Sequence, residues 1–312
     1  MSRGASIAGR VGVPVRPGVA SRLQVVRVAG RVPPHGYFIG SAVFHYLGPS
    51  FAVLLFARVD PLGVAWLRIA SAGAVFAVWR RPWVHLRALD RDSWRPLLAL
   101  GCVLAVMNSC FYLAIDRLPL GTVAAIEFLP VILLAALGVR TLRNGGALAL
   151  AVAGVYLLTD VRIATEPVGI AFAFANAVLF ALYIVVAHRV SRGRALSGID
   201  GLAAAMLVAT IAITPIGGWA AAKAALDPIA LAAGLGVGVA SSVIPYVCDQ
   251  LAMARLSRAT YSLMVSLLPA TATVIGILVL TQVPSPVEVL GVGLVVAAVA
   301  VHRAATDDTG DV

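Results

Sequence analysis

Acidic side chains are scarce in this chain: 14 Asp and Glu stand against 24 Lys and Arg in 312 residues. Charged residues of either sign make up only 12% of it, and hydrophobic residues 61%. A soluble domain of that make-up would expose too much apolar surface, so there is no room for a sizeable one. Only three cysteines occur, Cys102, Cys110 and Cys248. Their odd number and spacing exclude a disulfide framework and a cysteine metal centre. Each falls in an apolar stretch and reads as a small buried thiol. GxSxG, HExxH, P-loop and Cys/His-cluster patterns are all missing. That argues against an enzyme and against nucleotide-driven chemistry, and it implies no metal and no other cofactor.

What the chain does have is apolar runs of about 20 residues along almost its whole length, the signature of membrane spans. The fold class expected is an all-α polytopic membrane protein with ten transmembrane helices. They fall near 37–57, 61–80, 96–115, 119–139, 145–160, 167–188, 200–220, 229–252, 259–281 and 285–302. The fifth is short and either extends at its ends or crosses thinly. Residues 1–35 contain no acid and carry Arg3, Arg10, Arg16, Arg22, Arg27 and Arg31. They read as a disordered basic cytoplasmic tail, and 304–312 as a second tail. The net charge of +10 raises nucleic acid as a partner, but the arginines sit in the tail and in loops between spans. Orientation in the bilayer and contact with anionic lipid explain them instead. Starting inside, one side receives Arg80, Arg81, Arg87, Arg91, Arg95, Arg140, Arg143, Arg189, Arg192, Arg194, Arg255, Arg258 and Arg303. The other receives only Arg58, Arg117, Arg162 and Lys223. Both termini are therefore expected in the cytoplasm, in a cell inner (cytoplasmic) membrane.

One hairpin organises the rest. Met107–Pro130 holds two apolar segments joined at Asp116-Arg117-Leu118-Pro119. Glu127 has no other charge within nine residues on either side. A carboxylate at the bilayer centre costs roughly 2.5–3.5 kcal/mol or more, so such a group normally faces a cavity or a partner. Leu113–Thr122 also aligns with Leu251–Thr260 through shared Leu, Ala, Arg, Leu and Thr, and Pro130 then matches Pro269 after one inserted residue. The offset spans five helices, an odd number, so the halves 36–160 and 161–303 would lie inverted in the membrane. Inverted repeats with interrupted helices are a layout of secondary transporters, which bind substrate between the halves. Pro130, Pro245 and Pro269 are the expected kinks.

Several segments together carry a resemblance. They are Gly48–Phe56, Gly63–Arg68, Met107-Asn108 with Phe111-Tyr112, Leu118–Gly121 followed by Ile126-Glu127-Phe128, and Ile244-Pro245-Tyr246 with Asp249. Over about 37–302 the chain resembles the drug/metabolite transporter superfamily, EamA type, and within it the RhtA-type threonine/homoserine exporters. The resemblance implies two inverted five-helix repeats and outward movement of small polar metabolites. Two positions depart from the pattern. Thr281-Gln282 stands where members often have Gly-Glu, and Asp249 where the exporter branch tends to have Glu.

Candidate residues each have two readings. Burial penalises the charged form of a carboxyl, so Glu127 can carry a proton or pair with a substrate ammonium; otherwise it is a protonated packing residue. Asp249 shares a helix face with Tyr246 and either admits substrate or pairs with Arg255. Arg68, inside the second span, holds a substrate carboxylate or, in the reading adopted at this point, fixes helix packing. Asn108, Tyr112, Tyr183 and Tyr246 suit a cavity that hydrogen-bonds a small zwitterion, and equally suit interhelical bonds. His45 reads as a core residue, and Gly234-x-Gly236-x-Gly238 as close helix packing.

The function expected is secondary export of small amino acids or related metabolites by alternating access, through proton antiport or exchange. Alternatives are another solute (a nucleobase, an aromatic amino acid or a drug), an intramembrane enzyme, or a non-transporting scaffold. Partners expected are a small-molecule substrate and the lipid bilayer, not nucleic acid, with a homodimer left open.

Overall fold

Prolines and capping aspartates mark where many of the helices begin. Asp60 accepts from the Leu62 amide at 2.9 Å, with Pro61 opening the helix behind it. Asp227 does the same for Ile229 and Ala230 ahead of Pro228. A short carboxylate satisfies amides that have no helical acceptor, and proline at the first position has no amide to leave bare.

In a computed structural model, residues 33–301 are described apart from 88, 139–140, 164, 193–197, 225, 254, 257–263 and 266. All elements among them are helical: α1 Pro34–Leu55, α2 Pro61–Arg80, α3 Trp83–Leu86, α4 Arg91–Ile115, α5 Leu120–Gly138, α6 Leu142–Ile163, α7 Pro167–Arg192, α8 Gly198–Ala224, α9 Pro228–Gly238, α10 Ile244–Met253, α11 Leu268–Leu280 and α12 Pro286–Val301. A five-residue π-helical turn, Val239–Val243, joins α9 to α10. Among the described residues, six helical stretches are long and apolar enough to cross a membrane, with the α9–α10 unit counted as one. Four shorter apolar helices lie in α5, α6, α11 and α12. This is a multi-pass α-helical membrane protein.

The expected tail up to residue 32, the final tail and the side chains of Arg162 and Lys223 lie outside the described residues. The fifth span is longer than expected, since α6 runs 22 residues. Pro269 requires a correction. It sits in the first turn of α11 instead of inside a longer helix, and a turn at Leu267 precedes it. Without an amide hydrogen, Pro269 fits a helix start without loss. The cysteines are not the buried thiols expected: Cys102 is exposed, and Cys110 and Cys248 are half-buried. Small side chains can face the apolar surround of a membrane helix as readily as its core.

Interhelical contact relies on small residues, as lipid-exposed bundles require. Ala203, Ala204, Ala205 and Ala209 of α8 are all buried, whereas Ile211 and Trp219 of the same helix face outward. Gly154 and Gly291 bring α6 and α12 so close that a Cβ on either would sit within 3.0 Å of the other's carbonyl oxygen. Gly234 and Gly238 pack against Leu67 and Ser71 of α2, whereas a Cβ on Gly236 would meet nothing within 4 Å. The Gly-x-Gly-x-Gly stretch is therefore a packing seam.

The helices pair in a regular way. α2 packs on α8, α5 on α11, and α6 on α12. α1 packs on α9, α10 and α11, while α7 packs on α4 and α5. α4 packs on α8, while α9 packs on α2. At one end of the bundle Arg58 pairs with Asp227 at 2.8 Å, and Gln282 Oε1 accepts from the Leu120 amide at 3.1 Å. At the other end Arg80 pairs with Asp200 at 2.7 Å, and Arg143 donates to the Val301 carbonyl at 2.5 Å.

Candidate functional site

A cavity of about 500 Å³ runs between α1, α2, α4, α5, α7, α8 and the α9–α10 unit. Its size falls in the range of small-molecule sites. Asn108, Glu127, Tyr183, Tyr246, Asp249 and Arg68 all line it. Tyr112 does not, but it is fully buried and lies under the Arg68 guanidinium, 5.6 Å from ring centroid to carbon.

The acid comes from the middle of α5. Its helix is apolar almost all round, so one face must be chosen by packing, and the chosen face turns Glu127 inward. The side chain is only 9% exposed. Asn176 on α7, itself fully buried, donates from Nδ2 to Glu127 Oε1 at 3.1 Å. That leaves Asn176 Oδ1 without a protein partner, and the hydroxyl of Tyr46, which lines the same cavity, is likewise unpartnered. Phe128 of α5 meets Phe180 of α7 edge-on at 6.4 Å, and Phe180 stacks on Tyr183 at 6.1 Å. These rings form one apolar wall of the cavity.

The guanidinium is placed differently. Pro245 has no N–H, and its ring crowds the carbonyl four residues back. The backbone responds with the π-turn Val239–Val243, in which the Ile244 amide reaches back to the Val239 carbonyl. The Ser241 carbonyl is thereby released from the helical ladder. Arg68 of α2 takes it up at 3.3 Å through NH2, while its Nε donates to Ser242 Oγ at 3.2 Å. Gly48 of α1 makes room for this turn, since a Cβ there would fall 2.8 Å from the Ser241 nitrogen. Among the described residues no carboxylate lies within 4.0 Å of Arg68. The acid partner weighed for Arg68 from the sequence is thus not in place, and the side chain faces the cavity.

Towards the arginine-rich end, the Tyr183 and Tyr246 hydroxyls hydrogen-bond to each other across the cavity. Asp249 lies one turn further along α10. The Arg255 guanidinium lies over the Tyr37 ring at 5.5 Å. Asn108 uses its amide nitrogen on the Leu104 carbonyl at 2.8 Å within its own helix, leaving its oxygen as the group it can offer. His45, expected in the core, is half-buried and lines the cavity. No group of three or more metal-ligating side chains occurs among the described residues.

Comparison with known proteins gives this geometry its context. The chain is 31% identical over 254 residues to the threonine/homoserine exporter RhtA of Escherichia coli strain K12, covering 80% of this chain and 84% of that protein. Residues 167–303 match the model of the EamA-like transporter family.

The chain belongs to the EamA-like transporter family.

RhtA of Salmonella typhimurium strain LT2 is 32% identical over the same length, with the same coverage. A protein of known crystal structure shares the fold, with a TM-score of 0.54 and 18% identity over 85% of this chain and 94% of that one. Within this EamA-like frame, sequence reasoning missed Asn176, Ser241 and Ser242. Asn176 was legible only as a single polar residue on an apolar helix, and the serines only as neighbours of Pro245.

Proposed function

We propose that this protein exports small amino acids, threonine- or homoserine-like, across the inner membrane by alternating access. The observation that carries the proposal is the central cavity, lined by two acids, Glu127 and Asp249, and one guanidinium, Arg68. It occurs in a chain 31% identical to an exporter of such solutes.

The topology proposed is ten spans in two inverted repeats, 36–160 and 161–303, with the α9–α10 unit as a single span. The helix pairing supports it. Exchange α1 with α7, α2 with α8, α4 with α9–α10, α5 with α11, and α6 with α12. The contacts then map onto one another: α1 on α9–α10 becomes α7 on α4, α1 on α11 becomes α7 on α5, and α2 on α9 becomes α8 on α4. The positive-inside rule puts the Arg80 end and both termini in the cytoplasm. Phe38, Val190 and Gly201, near the ends of their helices on that side, line the cavity. The conformation is therefore read as facing inward.

Glu127 is the proposed coupling group. The charged form accepts from Asn176, and a proton or a substrate ammonium competes for the same oxygens. The titratable groups that share its cavity are His45, Tyr46, Arg68, Tyr183, Tyr246 and Asp249, with Asn108, Asn176 and three serines as the other polar groups. A group loaded on one side and unloaded on the other supports proton antiport or exchange. The test is efflux of labelled threonine, homoserine and a panel of other amino acids from proteoliposomes, with and without a pH gradient. Movement of one or more members, accelerated by the gradient, is expected; no movement of any would overturn the proposal. A second reading, export of an aromatic solute, rests on the ring wall of Phe128, Phe180 and Tyr183, and the same panel decides it.

A further inference from the structure

We infer that Arg68 is the pole that binds a carboxylate of the transported solute, held ready by the π-turn that Pro245 imposes. The inference rests on the central cavity being the transport site, and it narrows the substrate class to small carboxylates, zwitterions among them.

A guanidinium carries five N–H donors in a planar fork. Here the protein occupies Nε with Ser242 Oγ and NH2 with the Ser241 carbonyl. Both contacts come from one rigid turn, so they fix the plane of the fork without neutralising it. Glu127 and Asp249 share the cavity, and neither is within ion-pair distance of Arg68. A buried cation without an ion-pair partner is costly, and a ligand carboxylate in this cavity would supply that partner.

The unsatisfied hydroxyls mark where that ligand would sit. Among the described residues, four buried side-chain atoms lack hydrogen-bond partners: Ser241 Oγ, Tyr112 OH, Asn176 Oδ1 and Tyr46 OH. They divide into two groups. Ser241 lines the cavity on the Arg68 side, where its carbonyl binds the guanidinium, and Tyr112 packs beneath the guanidinium outside the cavity lining. Asn176 belongs to the Glu127 side, and Tyr46 lines the same cavity. The Ser241 hydroxyl beside a guanidinium suits a carboxylate. An amide oxygen beside a carboxylate suits an ammonium. A small amino acid carries both groups close together, and its side chain would then meet the rings of Phe128 and Phe180.

The experiment uses the full chain in detergent and reads the ligand-induced shift in its thermal unfolding midpoint. The probes are L-threonine, L-homoserine, L-threoninol, which replaces the carboxylate by an alcohol, 3-hydroxybutyrate, which lacks the ammonium, and a panel of other small carboxylates. Wild type should be stabilised by acids and not by threoninol. Arg68→Gln should weaken acid binding by about ten- to hundredfold, the range for a lost charge-assisted hydrogen bond, and abolish the preference of acid over alcohol. If Arg68→Gln does not fold, Arg68→Lys and Ser242→Ala take its place. Lys keeps the charge but loses the fork, so the preference should shrink; Ser242→Ala should shrink it less. If threonine and homoserine fail while another carboxylate stabilises wild type and not the variant, the Arg68 assignment stands and the amino-acid proposal falls. Equal stabilisation of wild type by acid and alcohol, no stabilisation by any carboxylate, or an unchanged preference in the variants would overturn it.

Discussion

The Glu127 and Arg68 sides of the cavity are built in opposite ways. Glu127 sits on a helix that stays continuous past Pro130, and a single side chain, Asn176, holds it from another helix. Arg68 is held by a broken helix: a backbone carbonyl and a hydroxyl of the π-turn grip it, and a tyrosine ring lies beneath it. One side-chain contact is more readily exchanged within a transport cycle than two contacts made to a single turn. A group that must change its protonation state is suited by the first arrangement. A group that must present the same fork in every cycle is suited by the second.

The sharpest way to break this contrast is Glu127→Gln. The amide keeps the shape and can still bond Asn176, but it cannot lose a proton. Net efflux driven by a pH gradient should fall to the rate seen without a gradient, while substrate-for-substrate exchange persists. Proteoliposome efflux at several pH values measures both. Wild-type gradient sensitivity in the variant would remove the coupling role and leave a packing residue.

Gly48→Ala attacks the other side without touching either charged residue. The new Cβ would fall 2.0 Å from Ser241 Oγ and 2.8 Å from the Ser241 nitrogen, so the π-turn must move. Overpacking of that kind costs about 1–3 kcal/mol. A lower unfolding midpoint should accompany a lost preference for carboxylates over alcohols, with the response to a pH gradient retained in whatever transport remains.

Asn176→Ala sharpens the comparison by removing one neutral hydrogen bond to a charged acceptor. An effect of about tenfold on gradient-driven efflux is expected, with acid-over-alcohol discrimination unchanged. Loss of that discrimination instead would show that the two sides are not separable.

The smallest effect should come from Asp227→Asn, remote from both sides. A hydrogen bond from Arg58, then one from the Ala230 amide, holds the Asp227 carboxyl below its ordinary value of 3.8. A depressed folded-state value contributes stability above the unfolded value, and the contribution is lost as pH falls through the folded one. Wild type should therefore lose a little thermal stability as pH drops below 3.8, and the variant should lack that component. The pair is solvent-exposed, so the difference at neutral pH should be slight.

By itself the sequence determined the class of molecule. Hydropathy and scarce charge required membrane helices, and arginine placement marked the two ends of the bundle. The isolation of Glu127 marked it for a cavity, because a lone acid among apolar residues has no cheaper place in a membrane. The Asp116–Pro119 turn was equally legible from its residues. Only the tertiary structure decided which faces meet. A helix apolar all round gives no periodic signal for its buried side, because lipid is as apolar as the core. So Asn176 meeting Glu127 across 49 residues, or Arg68 reaching the Ser241 carbonyl across 173, could not be seen in advance. Pro245 was legible as a kink, but not the π-turn it imposes or the carbonyl it frees. Pro269 was legible as a helix breaker, but its place at a helix start depended on where the described backbone turns. Local chemistry fixed the elements and their ends, and the partners of each polar group were set by close packing of small residues between helices far apart in the chain.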